Sequence, residues 1–454
     1  MANDHIRQSA KQLAILLVAL ASALLTTVST PVYAQFVSPP DFGFVIEDIE
    51  VLPDTREMEV MVRRQIGFEI GDRVPQGTLV ESKARLEAAG TFEQVDVHTR
   101  RGSVPGAIVV IVEAEIGRRI HFETGIGHED LGGWYLNMFG LRWTSPLHRG
   151  GTAQIGVHSG LETSGLFANL EVPGIPRPDY DGLVEIAFFD RTWYVQDGRD
   201  EYRQTLHQHR LLLGARHRLE GGVTTTLWTG VVQVNPSDSL TTEQGGEDVE
   251  VPTSPFLPPP NTTHFLDARL LIERDRRAVV DPWRNGTWMG ARLRVAEELD
   301  HGGFWQVEGD ARKYVPALER SALALRLQAH YTSSGTPYHQ RFLVGGAGRL
   351  RGFSSGRLSS PLGARAMWVG SAEWRHPLLG IDRPEPRLLG TLFVDVGSHW
   401  AAHGKPESLS AGVGYGLQIQ IPWVQVVTLE IGYPITDEPD VDSVVGTLTL
   451  GRSF

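Results

Sequence analysis

The sequence predicts a mainly β chain: a 16-stranded antiparallel transmembrane β-barrel preceded by one small α+β domain. Three observations lead there. From Arg119 to the end, helical periodicity stops and alternating apolar and polar segments recur about every 20 residues. Connections between those segments alternate in kind, short turns with longer polar loops. Helical spacing in the mature chain is confined to a single stretch before Arg119.

Composition narrows the function. The 454 residues carry a formal net charge of −12, which argues against a nucleic-acid partner. There is no cysteine, so a disulfide framework, a zinc–thiolate site and a cysteine nucleophile are all excluded. Fifty glycines with scattered aromatics suit many short strands and turns. After the N-terminal segment, no run approaches the roughly 18 apolar residues of a membrane helix. A barrel would leave no such run, because its lipid-facing and lumen-facing residues average out.

The chain opens with Arg7 and Lys11 ahead of an apolar stretch over residues 13–25, then Val32, Tyr33 and Ala34. A charged start, an apolar middle and small residues before Gln35 predict a signal peptide over 1–34 and an exported protein.

Residues 42–117 form the small domain. FVIEDIEV (44–51) alternates as a strand. Met58, Met61, Val62 and the pair Gln65–Ile66 are at helical spacing, and residues 67–77 read as a loop. Leu79, Lys83, Leu86 and Ala89 mark a second helix, stopped by Gly90. TFEQVDVHT (91–99) and AIVVIVEAE (107–115) read as two strands. The expected order is β-α-α-β-β.

Residues 119–454 form the barrel. Sixteen strands centre near residues 123, 141, 155, 169, 187, 209, 227, 268, 293, 308, 327, 369, 392, 415, 429 and 449. The plainest alternation is Leu323, Leu325 and Leu327 against Arg326 and Gln328, and Leu392, Val394 and Val396 against Asp395. A soluble sandwich alternates too, so this pattern alone does not prove a membrane. Tract 235–263 is rich in Pro, Glu, Thr and Ser and is expected to be exposed and mobile. An even strand number places both barrel ends, and the N-terminal domain, on the short-turn side.

One loop stands out. FLVGGAGRLRGF (342–353) has four glycines, too many for a helix. Arg349 and Arg351 need anionic partners if the loop is enclosed. Glu373 and Asp395 fall on the polar faces of the next two strands. The loop is therefore expected to tuck into the barrel, with Arg351 held between those two acids. Its alternative is a flexible surface loop with a solvated arginine. In a wet lumen, removing one partner would cost on the order of 1–3 kcal/mol.

Several motifs carry a family resemblance. LEAAGTFEQVDV, with Gly90, Phe92, Val95 and Val97, is similar to the helix-to-strand signature of POTRA domains, periplasmic modules attached to outer-membrane assembly and secretion barrels. ERDRRAVVDPWRNG, with Asp275, Pro282, Arg284, Asn285 and Gly286, is similar to a turn motif of the BamA/TamA-type outer-membrane assembly family, the bacterial surface antigen family. LRGF matches that family's loop motif, which carries over Arg351, Gly352 and Phe353. GSAEWRHP matches a strand motif through Gly370, Glu373 and Arg375, and LFVDVG another through Phe393, Asp395 and Gly397. The resemblance covers residues 265–454 by motif and 120–264 by pattern. The amphipathic ending SVVGTLTLGRSF resembles an outer-membrane β-signal, though Arg452 stands where an apolar residue is usual.

The resemblance implies a protein that helps insert β-barrel proteins into the outer membrane, or moves a substrate across it. The alternatives are a passive pore or surface receptor, or a two-partner-type secretion channel. The implied partners are outer-membrane lipids, periplasmic chaperones, and an unfolded barrel or secreted polypeptide docking on the edge strand of the POTRA domain. That domain could instead serve only to space or orient the barrel. The seam between the first strand, with Gly125 and Gly127, and the last, ending at Phe454, is expected to be weakest and to form a lateral gate. No G-x-S-x-G, H-E-x-x-H, Walker A or G-x-G-x-x-G occurs, so no enzyme and no cofactor are expected. Asp437, Glu438, Asp440 and Asp442 could hold Ca²⁺, with an ordinary solvated acidic loop as the alternative.

Overall fold

The computed structural model describes residues 43–450 apart from 75, 89–90, 130–132, 161–162, 178, 198–199, 245–246, 254–256, 279–282, 300–301, 319, 381–385, 402–408, 422–424 and 436–443. The expected signal peptide, helix stop Gly90, turn residue Pro282, acidic cluster 437–442 and terminal Phe454 lie outside the described residues.

The first unit runs β1 (Phe44–Leu52), α1 (Arg56–Ile66), β2 (Arg73–Val74), α2 (Gln76–Ala88), β3 (Phe92–Arg101) and β4 (Ala107–Ile116). Its sheet order is β2-β1-β4-β3, with β1 and β4 parallel and the other pairs antiparallel. The expected order missed β2, a two-residue strand that pairs only with Phe44 and Val45. Helix α1 forms because Thr55 caps it, its hydroxyl accepting from the Met58 N–H, and because Gly67 ends it at φ 77°. Met58, Met61, Val62 and Ile66 then share one face and bury it against Ile46, Ile49, Val110 and Val112. Each such side chain contributes about 1.5–3 kcal/mol.

The second unit is a closed antiparallel barrel. Its strands are β5 (Ile120–Glu129), β6 (Gly133–Thr144), β7 (Thr152–Gly160), β8 (Thr163–Pro173), β9 (Tyr180–Asp197), β10 (Asp200–Leu219) and β11 (Val223–Pro236). They continue as β12 (Ser239–Gln244), β13 (Glu247–Pro252), β14 (Thr263–Asp275), β15 (Gly286–Glu298), β16 (Gly302–Pro316) and β17 (Ala322–Thr332). The last are β18 (Ala364–Leu379), β19 (Leu388–Ala401), β20 (Ser410–Ile421), β21 (Gln425–Ile435) and β22 (Val445–Leu450), with β22 next to β5 in the ring. Each of the sixteen expected centres falls inside a strand.

The barrel is apolar outside and polar inside, which decides against a soluble sandwich. On β14, Leu266, Leu270 and Ile272 are exposed while Phe265 and Asp267 are buried. Leu211, Leu293, Leu323, Leu392 and Ile431 likewise face outward, with Trp305, Trp374, Tyr415 and Tyr433 among them. Such a surface is stable only against lipid.

Two expectations need correction. Tract 235–263 is not all loop: β12 and β13 pair as a hairpin, and Thr241 and Thr242 pair with Arg203 and Tyr202 of β10. The reason is length. Strands β9 and β10 have 18 and 20 residues, against about 9–11 needed to cross a bilayer, so their ends rise past the wall and offer β12 a partner. The expected asymmetry of connections is also only partial. The end opposite the N-terminal unit carries the long connections 237–262 and 333–363, yet β7–β8 and β9–β10 are joined there by two residues each.

The N-terminal unit sits against the short-turn end. Arg64 of α1 bonds Glu171 and, at 2.7 Å, Asp181. Arg119 forms a fork with Glu57 at 2.7 and 3.1 Å. This hydrogen-bonded fork holds the Glu57 carboxyl down at about 2, below its usual 4.5. A depressed carboxylate stabilises the contact above pH 4.5 and loses it as pH falls toward 2. We therefore expect hydrogen exchange in α1 to be flat from pH 8 to 5 after correction for the intrinsic rate, and to rise below pH 4.5. Glu57→Gln should show faster exchange at neutral pH and no such step.

Candidate functional site: a loop locked inside the barrel

Connection 333–363, between β17 and β18, folds back into the barrel. Apolar contact drives it. Phe342, Val344, Leu350, Phe353 and Leu358 form a core with Met367 and Val369 of β18. Tyr338 and Leu343 join a second core with Trp193, Leu206, Phe265 and Phe304 from the inner wall. This half of the interior is dry, where a wet lumen was expected.

At the loop's tip, Arg351 is 2% exposed, while Glu373 and Asp395 are fully buried. Its Nε and Nη2 donate to the two oxygens of Asp395, each at 2.7 Å, and its backbone N–H adds a third bond at 2.9 Å. Its Nη1 reaches Glu373 at 2.5 Å. The Phe393 ring lies 3.8 Å from the guanidinium carbon and closes the other face. Strand parity explains the placement. Glu373 stands between outward Ala372 and Trp374, and Asp395 between outward Val394 and Val396, on paired strands.

The structure thus brings Arg351, Gly352, Phe353, Glu373 and Asp395 together. Gly397 is two residues past Asp395, where a Cβ would stand 2.7 Å from the Trp368 carbonyl oxygen, so it serves strand packing and not the ion cluster. Gly125 and Gly127 pair with Asn137 and Tyr135 on β6, just after a register shift. On the other side of the expected seam, β21 pairs with β22 from Gly432↔Val445 to Val427↔Leu450, where the described residues end.

Strand alternation puts Glu430 of β21 on the polar face, but sequence reasoning did not make it a partner of Arg351. Its carboxylate accepts from Arg351 Nη1 at 2.9 Å. Glu430 reaches across the wall because Gly416 opposite it has no side chain; a Cβ there would lie 3.0 Å from Glu430 Cγ. The loop backbone lies just as close. Gly352 has φ 94°, and a Cβ on Gly412 would stand 1.7 Å from the Arg351 carbonyl oxygen. The glycines of GVGYG were the available signal.

Also missed was a second anchor, the helical turn Tyr338–Gln340. The Tyr338 hydroxyl donates to Gln204 at 2.8 Å, and Arg294 donates to the Gln340 side chain at 2.7 Å. Arg294 is itself held by Asp267 at 2.7 Å. The lock continues toward the other end of the barrel. Arg375 donates to Glu373 at 2.7 Å and to the Trp283 carbonyl at 3.4 Å, in the turn joining β14 to β15.

An Omp85 superfamily domain matches residues 285–454, the span that contains Arg351 and all three of its acids. This last part of the chain is therefore similar to an Omp85 superfamily domain. The motifs that suggested a BamA/TamA-type protein lie mostly within the matched span. Its fold is similar to that of BamA from Haemophilus ducreyi lacking POTRA domains 1-3, at 16% identity and a TM-score of 0.59 over 89% of this chain and 84% of that one. It is also similar to CdiB from Acinetobacter baumannii, at 14% identity and a TM-score of 0.55 over 89% of this chain and 73% of that one. At these identities the likeness is one of fold. No curated protein sequence matches this chain.

Proposed function

We propose that this chain is a non-enzymatic outer-membrane protein of the Omp85 superfamily that helps insert β-barrel proteins. In this reading its wall has sixteen staves, with β12 and β13 a hairpin outside the count, and 1–34 is a removed signal peptide. The N-terminal unit is a POTRA domain in the periplasm. Strand β3, at the edge of its sheet, receives an unfolded chain by β-augmentation. Driving force comes from substrate folding, and Arg351, Glu373 and Asp395 hold the loop rather than perform chemistry.

The observation that carries this reading is the filled interior. A loop with two apolar cores and a buried ion cluster occupies the far half of the barrel, and α1 lies against the near end. That is ill suited to a passive pore. An insertion role needs a wall that can part, and in this reading it parts at the seam between β22 and β5. Passage of a secreted polypeptide is the second reading, favoured by the polar cavity under α1.

Depletion separates them. Folded barrel proteins should fall several-fold in the outer membrane within a few generations, with secreted proteins following later. Unchanged barrel proteins together with a prompt loss of one exported polypeptide would favour the second reading.

A further inference from the structure

A polar cavity of about 500 Å³ lies between α1 and the inner wall of β6–β10. It is large enough for a ligand of several residues. Its charged lining is Arg64, Arg142, Arg216 and Arg218 with Glu171 and Glu185, and Asp181 bonds Arg64 and Arg218 at its edge, so four guanidinium groups meet three carboxylates in a chain whose net charge is −12.

The excess is visible in the contacts. Arg216 bonds Glu171 at 2.8 Å, Arg218 bonds Asp181 at 2.7 Å, and Arg64 bonds both acids. Three guanidinium groups thus converge on two carboxylates. Asp181 is buried and Arg64 largely so, so water compensates poorly for the imbalance. An incoming carboxylate would complete the set with charge-assisted, bidentate bonds. Gln65, Gln154 and Asn169 also line the space, and their amides can both donate to and accept from a peptide backbone. A small anion would use only the donor side of these amides.

We propose that this cavity binds an acidic, extended peptide segment, whose carboxylates take up the cationic excess of Arg64, Arg142, Arg216 and Arg218. Binding of this kind is a property of the purified protein and holds whether or not the chain inserts barrels.

The test uses the full chain in detergent with dye-labelled pentaglutamate, and pentaglutamine carrying the same dye. Pentaglutamate should bind, weakening as salt rises. Arg216→Gln should weaken it by about tenfold or more, the loss of one charged hydrogen-bonding group. Glu171→Gln should tighten it, because a competing carboxylate is gone. Heat-modifiable migration shows whether each variant has folded, and Arg142→Gln carries the same expectation should Arg216→Gln not fold. Equal binding of pentaglutamine would overturn the proposal, and so would an affinity unmoved by the folded arginine variants and Glu171→Gln. Displacement of the peptide by inorganic phosphate at equal concentration would also overturn it, reducing the site to a simple anion trap.

Discussion

Replacing Arg351 by alanine should expel connection 333–363 from the barrel. The substitution leaves Glu373, Asp395 and Glu430 facing one another at 0–3% exposure, with Arg375 still bonded to Glu373. Breaking a buried ion pair by removing one partner costs about 3–5 kcal/mol. That exceeds the 1–3 kcal/mol expected for a wet lumen, and the difference follows from the apolar cores packed around the site. The consequence is accessibility. Arg341, Arg349 and Arg357 lie within the loop and are trypsin sites. Added to intact cells, trypsin should leave the wild type whole and nick Arg351→Ala within this loop. Arg351→Lys keeps a charge but loses the fork that grips both Asp395 oxygens, so it should fall between the two. Equal protection of wild type and Arg351→Ala would end the lock interpretation.

What could be read from the sequence follows from what a lipid-facing strand must obey. Its side chains alternate with period two whatever surrounds it, so the sixteen strands expected from pattern each fall on a strand of the structure. Asp395 and Glu373 were legible for the same reason, since parity alone puts them inside. The bond from Arg351 to Glu430 was not. Glu430 belongs to β21, two strands beyond β19, and its reach depends on registers that no local pattern encodes. The hairpin β12–β13 was hidden because it is stabilised by the overhanging end of β10, not by its own residues. The dry interior left a trace that went unread: on β9, inward Trp193 and Val195 break the polar inner face. An inner face that turns apolar marks a place where something packs on it. Here that partner is Tyr338, whose ring meets Trp193 edge-on at 5.8 Å.

A purely steric change should release the same loop without touching a charge. Gly412 of β20 faces the loop tip, and a Cβ there would stand 1.7 Å from the Arg351 carbonyl oxygen. No rotamer relieves such a contact, because both atoms are fixed to backbone. In Gly412→Ala either β20 or the loop must move, and overpacking of this kind costs about 1–3 kcal/mol. The wall is tied to its neighbours by ladders of ten and eleven residue pairs, so the loop should yield first. Gly412→Ala should therefore become sensitive to trypsin, with Arg351, Glu373 and Asp395 all still present. Combining it with Arg351→Ala separates the two causes. If both act by freeing one loop, the double variant should be little worse than Arg351→Ala alone, because a loop already released has no contact left to lose. Full additivity would mean that Gly412→Ala damages the wall itself, and the close approach of Arg351 to β20 would then be incidental to holding the loop.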